Sequence, residues 1–237
     1  MLKLPGLIDP HVHLREPGAT YKEDYDSGTS AALAGGFTAV LAMPNTRPPI
    51  FDAPSLETAL AAARRKARCD YAQYVGAGPD NAARVAALAG RAAGLKMYLD
   101  MTFGELRLDD MTLWQAHFER YPKEYPIVVH AESRSMAAAM LYAALYDRPL
   151  HIAHISLREE VLLIRAARQR GLRVTCEVCP HHLFLAAGEQ PAPSGKPGRS
   201  EVRPRLASRQ DVEALWQNLD VIDCFATDHA PHTAEEK

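Results

Sequence analysis

The chain lacks any run approaching the ~18 uninterrupted apolar residues of a membrane span. Its opening, MLKLPGLIDP, also lacks the long apolar core and small-residue cleavage site of a secretory leader. The cytoplasm is therefore the expected compartment. Cysteine is scarce: Cys69, Cys176, Cys179 and Cys224 are too few and too scattered over 237 residues for a disulfide scaffold. Net charge is nearly absent, at -2, which argues against a nucleic-acid partner or an acidic membrane surface. No G-x-G-x-x-G loop follows an early apolar run, no repeat recurs at a fixed period, and no low-complexity tract interrupts the chain.

What is present is a globular composition, 47% hydrophobic and 24% charged, in a chain long enough for one large α/β domain over residues 1–237. Eight short β-rich runs recur, at 6–14, 37–44, 71–78, 94–100, 126–132, 150–156, 173–182 and 221–232. Segments of helical periodicity lie between them, including 55–68, 134–146, 158–170 and 208–219. The alternation predicts a (β/α)8 TIM barrel with its working residues at the C-terminal strand ends; an open doubly wound sheet is the alternative. Two irregular segments stand apart. The stretch 100–110 has the place of an active-site flap, and 186–204, rich in Gly, Pro and Ser, reads as a solvated loop. Only nine residues follow Asp228, and TAEEK reads as a helix just beginning, so the barrel is expected to lack its final helix and C-terminal flanking segment. That predicts a piece of a longer polypeptide with apolar barrel surface exposed.

Of ten histidines, only His117 sits in a plainly helical setting; the rest fall in or just past the apolar runs. In GLIDPHVHLREPG, His11 and His13 are two apart, so a strand projects both to one face, within reach of one ion. Imidazoles suit zinc. His130 ends the fifth run, His154 the sixth, and Asp228 the eighth, which in a barrel closes beside the first. Lys96, inside GLKMYLD, is costly in a buried strand unless its charge is compensated or its pKa falls. A lysine carboxylated by CO2 would instead offer two oxygens to bridge metal ions.

The motifs HVHLREPG, MPNTRPP, GLKMYLD, HAE, HIAHIS, CEVCPHHL and TDHAPHT, in this order and spacing, closely resemble dihydroorotases of the cyclic amidohydrolase superfamily. The likeness is greatest to the dihydroorotase domain of animal multifunctional pyrimidine-synthesis proteins. The resemblance implies a binuclear zinc centre, with His11, His13 and Asp228 on one ion, His130 and His154 on the other, and carboxylated Lys96 bridging. It further implies a metal-bridging hydroxide as nucleophile, Asp228 as general acid/base, and reversible closure of N-carbamoyl-L-aspartate to L-dihydroorotate. Arg15, Asn45, Arg203 and His232 match positions that hold the substrate carboxylate or ring, and Thr102 and Phe103 match a lid loop.

The sequence departs from that pattern in one place. Where the animal enzymes carry a cysteine that helps hold a third zinc, Ala153 stands here, although the accompanying Glu177 remains and Cys179 follows it by two. A zinc-ribbon reading of CEVC with PHH lacks a second ligand pair. Two further functions compete: a hydantoinase, dihydropyrimidinase or allantoinase with the same centre, and an inactive dihydroorotase-like scaffold for aspartate transcarbamoylase. Arg15 and Asn45 favour the first reading, because a neutral ring gives the arginine no carboxylate. The resemblance also implies a homodimer, within a larger pyrimidine-synthesis assembly.

Overall fold

The computed structural model describes residues 3–102, 105–189 and 201–236. Nine short strands alternate with helices. They are β1 (Leu7–Val12), β2 (Phe37–Ala42), β3 (Asp70–Gln73), β4 (Val75–Gly76), β5 (Leu95–Tyr98), β6 (Ile127–His130), β7 (Leu150–Ile152), β8 (Val174–Val178) and β9 (Cys224–Phe225). All pair in parallel, as β1-β2-β3 and as β4-β5-β6-β7-β8-β9.

The third predicted run is one barrel strand broken at Tyr74. There the backbone leaves β2, with Tyr74 N–H donating to Ala42 O at 2.9 Å, and joins β5, with Val75 N–H donating to Gly94 O at 3.1 Å. The other end of the circle closes at β1, where Val12 bridges His229 in parallel and His13 N–H donates to His229 O at 2.8 Å. Buried Asp9 of β1 reinforces that seam by accepting from Thr227 Oγ1 at 2.5 Å and Thr227 N at 3.2 Å. The eight-stranded barrel is thus closed, and the open-sheet alternative falls.

The principal helices are α1 (Tyr25–Ala34), α2 (Ala53–Lys66), α3 (Ala82–Ala86), α4 (Thr112–Arg120), α5 (Ser133–Leu145), α6 (Arg158–Gln169), α7 (Pro180–Phe184) and α8 (Arg209–Gln217). Asp24, Asp52 and Ser208 cap α1, α2 and α8 by accepting the N–H of the third helical residue. Glu160, buried near the start of α6, accepts the N–H groups of Ser156 and Leu157 and that of Ser133 at the start of α5. The predicted run 173–182 is strand only to Val178; His181 and His182 lie on α7. Residues 233–236 form a turn, closed by Glu236 N–H to Thr233 O at 3.2 Å, rather than the expected first turn of a helix.

One apolar cluster extends between β4–β8 and their helices, from Ile50 and Leu95 through Ile127, Val129, Ile152, Ile164 and Val178 to Leu215. A smaller one lies under β1 and β2, built on Val12, Leu14, Tyr25, Val40 and Ala42. Leu7 and Ile8 of β1 and Phe225 of β9 are exposed. Among the described residues no helix is long and apolar enough to cross a membrane.

Candidate metal centre

At the C-terminal mouth of the barrel lies a cavity of about 210 Å³ whose lining includes His11, His13, His130, His154 and Asp228. The first three of the predicted ligands sit in contact. Asp228 Oδ1 is 2.9 Å from His13 Nε2 and 3.3 Å from His11 Nε2. His130 Nδ1 and His154 Nε2 form a second pair at 2.9 Å, and the His11 and His154 ring centroids are 5.2 Å apart. Lys96, fully buried on β5, has its ammonium 5.3 Å from the Tyr98 ring centroid.

The donor set asks for a cation. Both nitrogens of His11 face carboxylate oxygens, Nδ1 facing Glu177 Oε1 at 2.5 Å and Nε2 facing Asp228 Oδ1. A neutral imidazole carries one N–H and one lone pair, so a ring set between two carboxylates needs either a second proton or a cation at that lone pair. His130 Nε2, His154 Nδ1 and Lys96 Nζ are buried without a hydrogen-bond partner. Burial pushes His13 down to about 4, His130 to about 3, and His154 well below the usual range, so these rings are neutral and available as ligands. Burial alone would raise the Asp228 carboxyl, but His11, the hydrogen-bonded His13 and Lys96 outweigh it and hold it ionised. Lys96 is pushed down to about 8 by its burial. The residues present therefore fit a binuclear metal centre.

The substrate candidates stand around the same cavity. Arg15 donates through Nε to Pro231 O at 3.1 Å and places its Nη2 3.2 Å from His232 Nε2. The ion pairs that a surface role would give it are taken by others, Glu16 by Lys66 at 2.8 Å and Glu23 by His229 at 2.9 Å. Gly18, at a φ of 94°, lets the loop behind Arg15 approach Arg47 so closely that a Cβ would lie 1.7 Å from its carbonyl oxygen. Arg203 donates to Glu201 at 3.0 Å and to Val202 O at 2.8 Å, and both it and Val202 line the cavity. The end of the predicted solvated loop is thus part of the site.

Asn45 lines the cavity too, but its Oδ1 is 2.6 Å from His13 Nδ1, so its amide orients a ligand as well as facing substrate space. Thr102 reaches the mouth, and the segment behind it folds back, with Leu108 N–H donating to Tyr98 O at 2.9 Å. Phe103 lies outside the described residues. Three side chains at the mouth sit on backbone in the left-handed region, Arg15 at φ 58°, His154 at 36° and Asp228 at 49°.

The third-zinc position changes character. Ala153 is packed with Met43, Tyr74 and Val128, while Glu177 accepts at Oε1 from His11 and from His154 N at 3.2 Å. Cys179 does not stand in for the missing thiol; its sulfur groups with His181 and His182 instead. Cys176 turns outward to bond Val221 O at 3.4 Å, which ends the ribbon reading.

Sequence reasoning overlooked Tyr98. Two residues past Lys96 and on the same face, its buried hydroxyl lines the cavity without a partner, and burial beside Asp228 holds its proton on firmly. The i, i+2 spacing from Lys96 was the available signal.

A parallel barrel closed on itself, with its ionisable side chains gathered at the C-terminal mouth, puts the molecule in the class of amidohydrolase-type barrels. A family model described as dihydro-orotase-like matches residues 1–101. The multifunctional protein CAD of Squalus acanthias is 56% identical over 237 residues, covering 100% of this chain and 10% of that protein. A dihydroorotase of Pyrococcus furiosus is 37% identical over 241 residues, covering 99% of this chain and 56% of that enzyme. Among solved structures, the inactive dihydroorotase-like domain of a Chaetomium thermophilum CAD-like multifunctional protein superposes with a TM-score of 0.81 at 30% identity, over 95% of this chain and 64% of that one. This chain is similar along nearly its whole length to dihydroorotases and dihydroorotase-like domains, and it spans less than two thirds of each of these relatives.

Proposed function

We propose that residues 1–237 are one barrel domain of a zinc-dependent dihydroorotase of pyrimidine synthesis, which interconverts N-carbamoyl-L-aspartate and L-dihydroorotate. The observation that carries this reading is that Arg15, a guanidinium fork suited to a carboxylate, lines the same cavity as Asp228 and the four histidines.

His11, His13 and Asp228 would hold one ion, His130 and His154 the other, and carboxylated Lys96 both. With burial disfavouring its ammonium, the Lys96 amine would add to CO2; one N–C bond forms as a C=O π bond opens, one proton leaves to solvent, and an anionic carbamate replaces a buried cation that has no hydrogen-bond partner. Bound divalent cations would supply an activated water at neutral pH and polarise the carbonyl under attack.

The chain's own groups do the rest. Asp228, ionised, accepts the proton of the attacking water and returns it to the ring nitrogen as the C–N bond breaks; ring closure runs the same transfer backwards with loss of water. Arg15, Arg203 and His232 hold the substrate carboxylate, Asn45 fixes His13 while meeting the ring, and the Tyr98 hydroxyl donates to a carbonyl oxygen. Thr102, at the mouth of the cavity, would close over the substrate and help exclude water. The likeness to multifunctional CAD supports work within a larger assembly; a homodimer in the cytoplasm is part of the same proposal.

A substrate panel tests the proposal. L-dihydroorotate should be preferred over dihydrouracil and allantoin by about 10²-fold or more, with turnover lost to a chelator and restored by zinc. Preference for an uncharged ring would replace the reading with a hydantoinase-type hydrolase. A folded chain that takes up no metal and turns over nothing would select the scaffold role, which the likeness to the inactive Chaetomium domain makes the second reading.

A further inference from the structure

Glu177 faces two ways. Its Oε1 meets His11 near the mouth, while its Oε2 points deeper into the barrel, 3.1 Å from His151 Nε2. Cys224 is the register partner of Glu177 across β8 and β9, and His151 stands on β7, which pairs β8 from the other side. One ligand atom from each of His151, Glu177 and Cys224 lies within 4.8 Å of the other two. Three adjacent strands therefore present an imidazole, a carboxylate and a thiol to one point. Strand alternation accounts for this, since Ile152, Cys176 and Val178 face the outer apolar cluster and their neighbours face inward.

The imidazole is held in place from behind. His151 Nδ1 is 2.8 Å from Thr175 Oγ1, and because a hydroxyl accepts as well as donates, threonine supports the tautomer that leaves Nε2 as a lone pair. A cavity of about 410 Å³ opens at the N-terminal ends of the strands, lined by Pro149, His151, Thr175 and Asp223 among others, so an ion and its water have a route from the side opposite the catalytic mouth.

We propose that His151, Glu177 and Cys224 form a separate divalent-cation site of the zinc type, with three protein ligands and a fourth position for water. It is not the third-zinc position implied by the family likeness, which needs a thiol at 153 where Ala153 is packed. On coordination the Cys224 sulfur bonds the ion and the thiol proton leaves to solvent, with no change of oxidation state. The ion would tie β7, β8 and β9 together and brace, through Glu177, the His11 ring above.

A cadmium–thiolate band distinguishes this site from the centre at the mouth, whose ligands include no cysteine, and Cys179 beside His181 and His182 is the control thiol. Titrated into the chelator-stripped full chain, cadmium should raise an ultraviolet thiolate charge-transfer band. The band should be lost in Cys224→Ser and retained in Cys179→Ser, which removes the thiol grouped with His181 and His182. His151→Gln keeps the thiol and should weaken cadmium binding at least about tenfold, read with circular dichroism to confirm folding. No thiolate band in the wild-type chain, or a band that survives Cys224→Ser or is unchanged in His151→Gln, overturns the site. Failure here leaves the dihydroorotase reading intact, since that reading is judged by turnover.

Discussion

The two sheets that make up the barrel are unequally supported. Strands β4–β8 rest on one continuous apolar cluster running from Ile50 to Leu215, whereas β1 and β2 rest on a short one, beside a largely apolar cavity of about 170 Å³ lined by Val12, Leu14, Phe37 and Val40. The candidate centre draws on both. Lys96, His130 and His154 come from the heavily packed side, His11, His13 and Arg15 from the light one, and Asp228 from the seam between them. The difference teaches that ligand geometry here depends on joining a firm half to a softer one.

The largest expected effect separates chemistry from support. Asp228→Asn should cut dihydroorotate turnover by about 10³-fold, since it removes the proton carrier, while leaving the denaturation midpoint close to wild type. A midpoint that collapses along with activity would mean the seam, rather than proton transfer, had failed.

Acidification strikes both halves together. Burial holds His13 at about 4 and His130 at about 3 in the folded chain, against 6.5 for an unburied imidazole. The unfolded chain then takes up protons first, so stability is fully present above about pH 6.5 and is lost as pH falls toward 4, with His13 alone accounting for about 3 kcal/mol. Denaturant unfolding of the metal-free chain across that window checks this. A flat profile would mean the rings are not buried neutral.

The smallest effect sharpens the contrast itself. Val129 and Val40 are both buried, the first in the large cluster and the second in the small. Val129→Ala should cost about 3 kcal/mol and Val40→Ala about half that, because fewer neighbours are lost beside an existing cavity. Equal costs in denaturant titrations would remove the claim of unequal support.

Much of this was legible in the amino-acid order because its signals are local. Alternating apolar runs marked the strands, and two histidines two apart had to share a face. What escaped depends on neighbours distant in sequence. The break at Tyr74 arises from the backbone changing partners between β2 and β5. The start of α2 at Ala53, two residues ahead of the predicted boundary, follows from Asp52 capping Ser55. Asn45 looked like a substrate residue, yet it also braces His13 from 32 positions away. His151 and Cys224 gave no sign of meeting until the order of β7, β8 and β9 was fixed.

Arg15, His154 and Asp228 all occupy left-handed backbone, a conformation in which glycine is relaxed and any other residue is not. Selection for thermal hardiness alone would therefore favour glycine at those three positions. Each such change would erase a guanidinium, an imidazole or a carboxylate from the mouth. A lineage freed from its reaction but still required to fold would have a ready route to silence at these three positions.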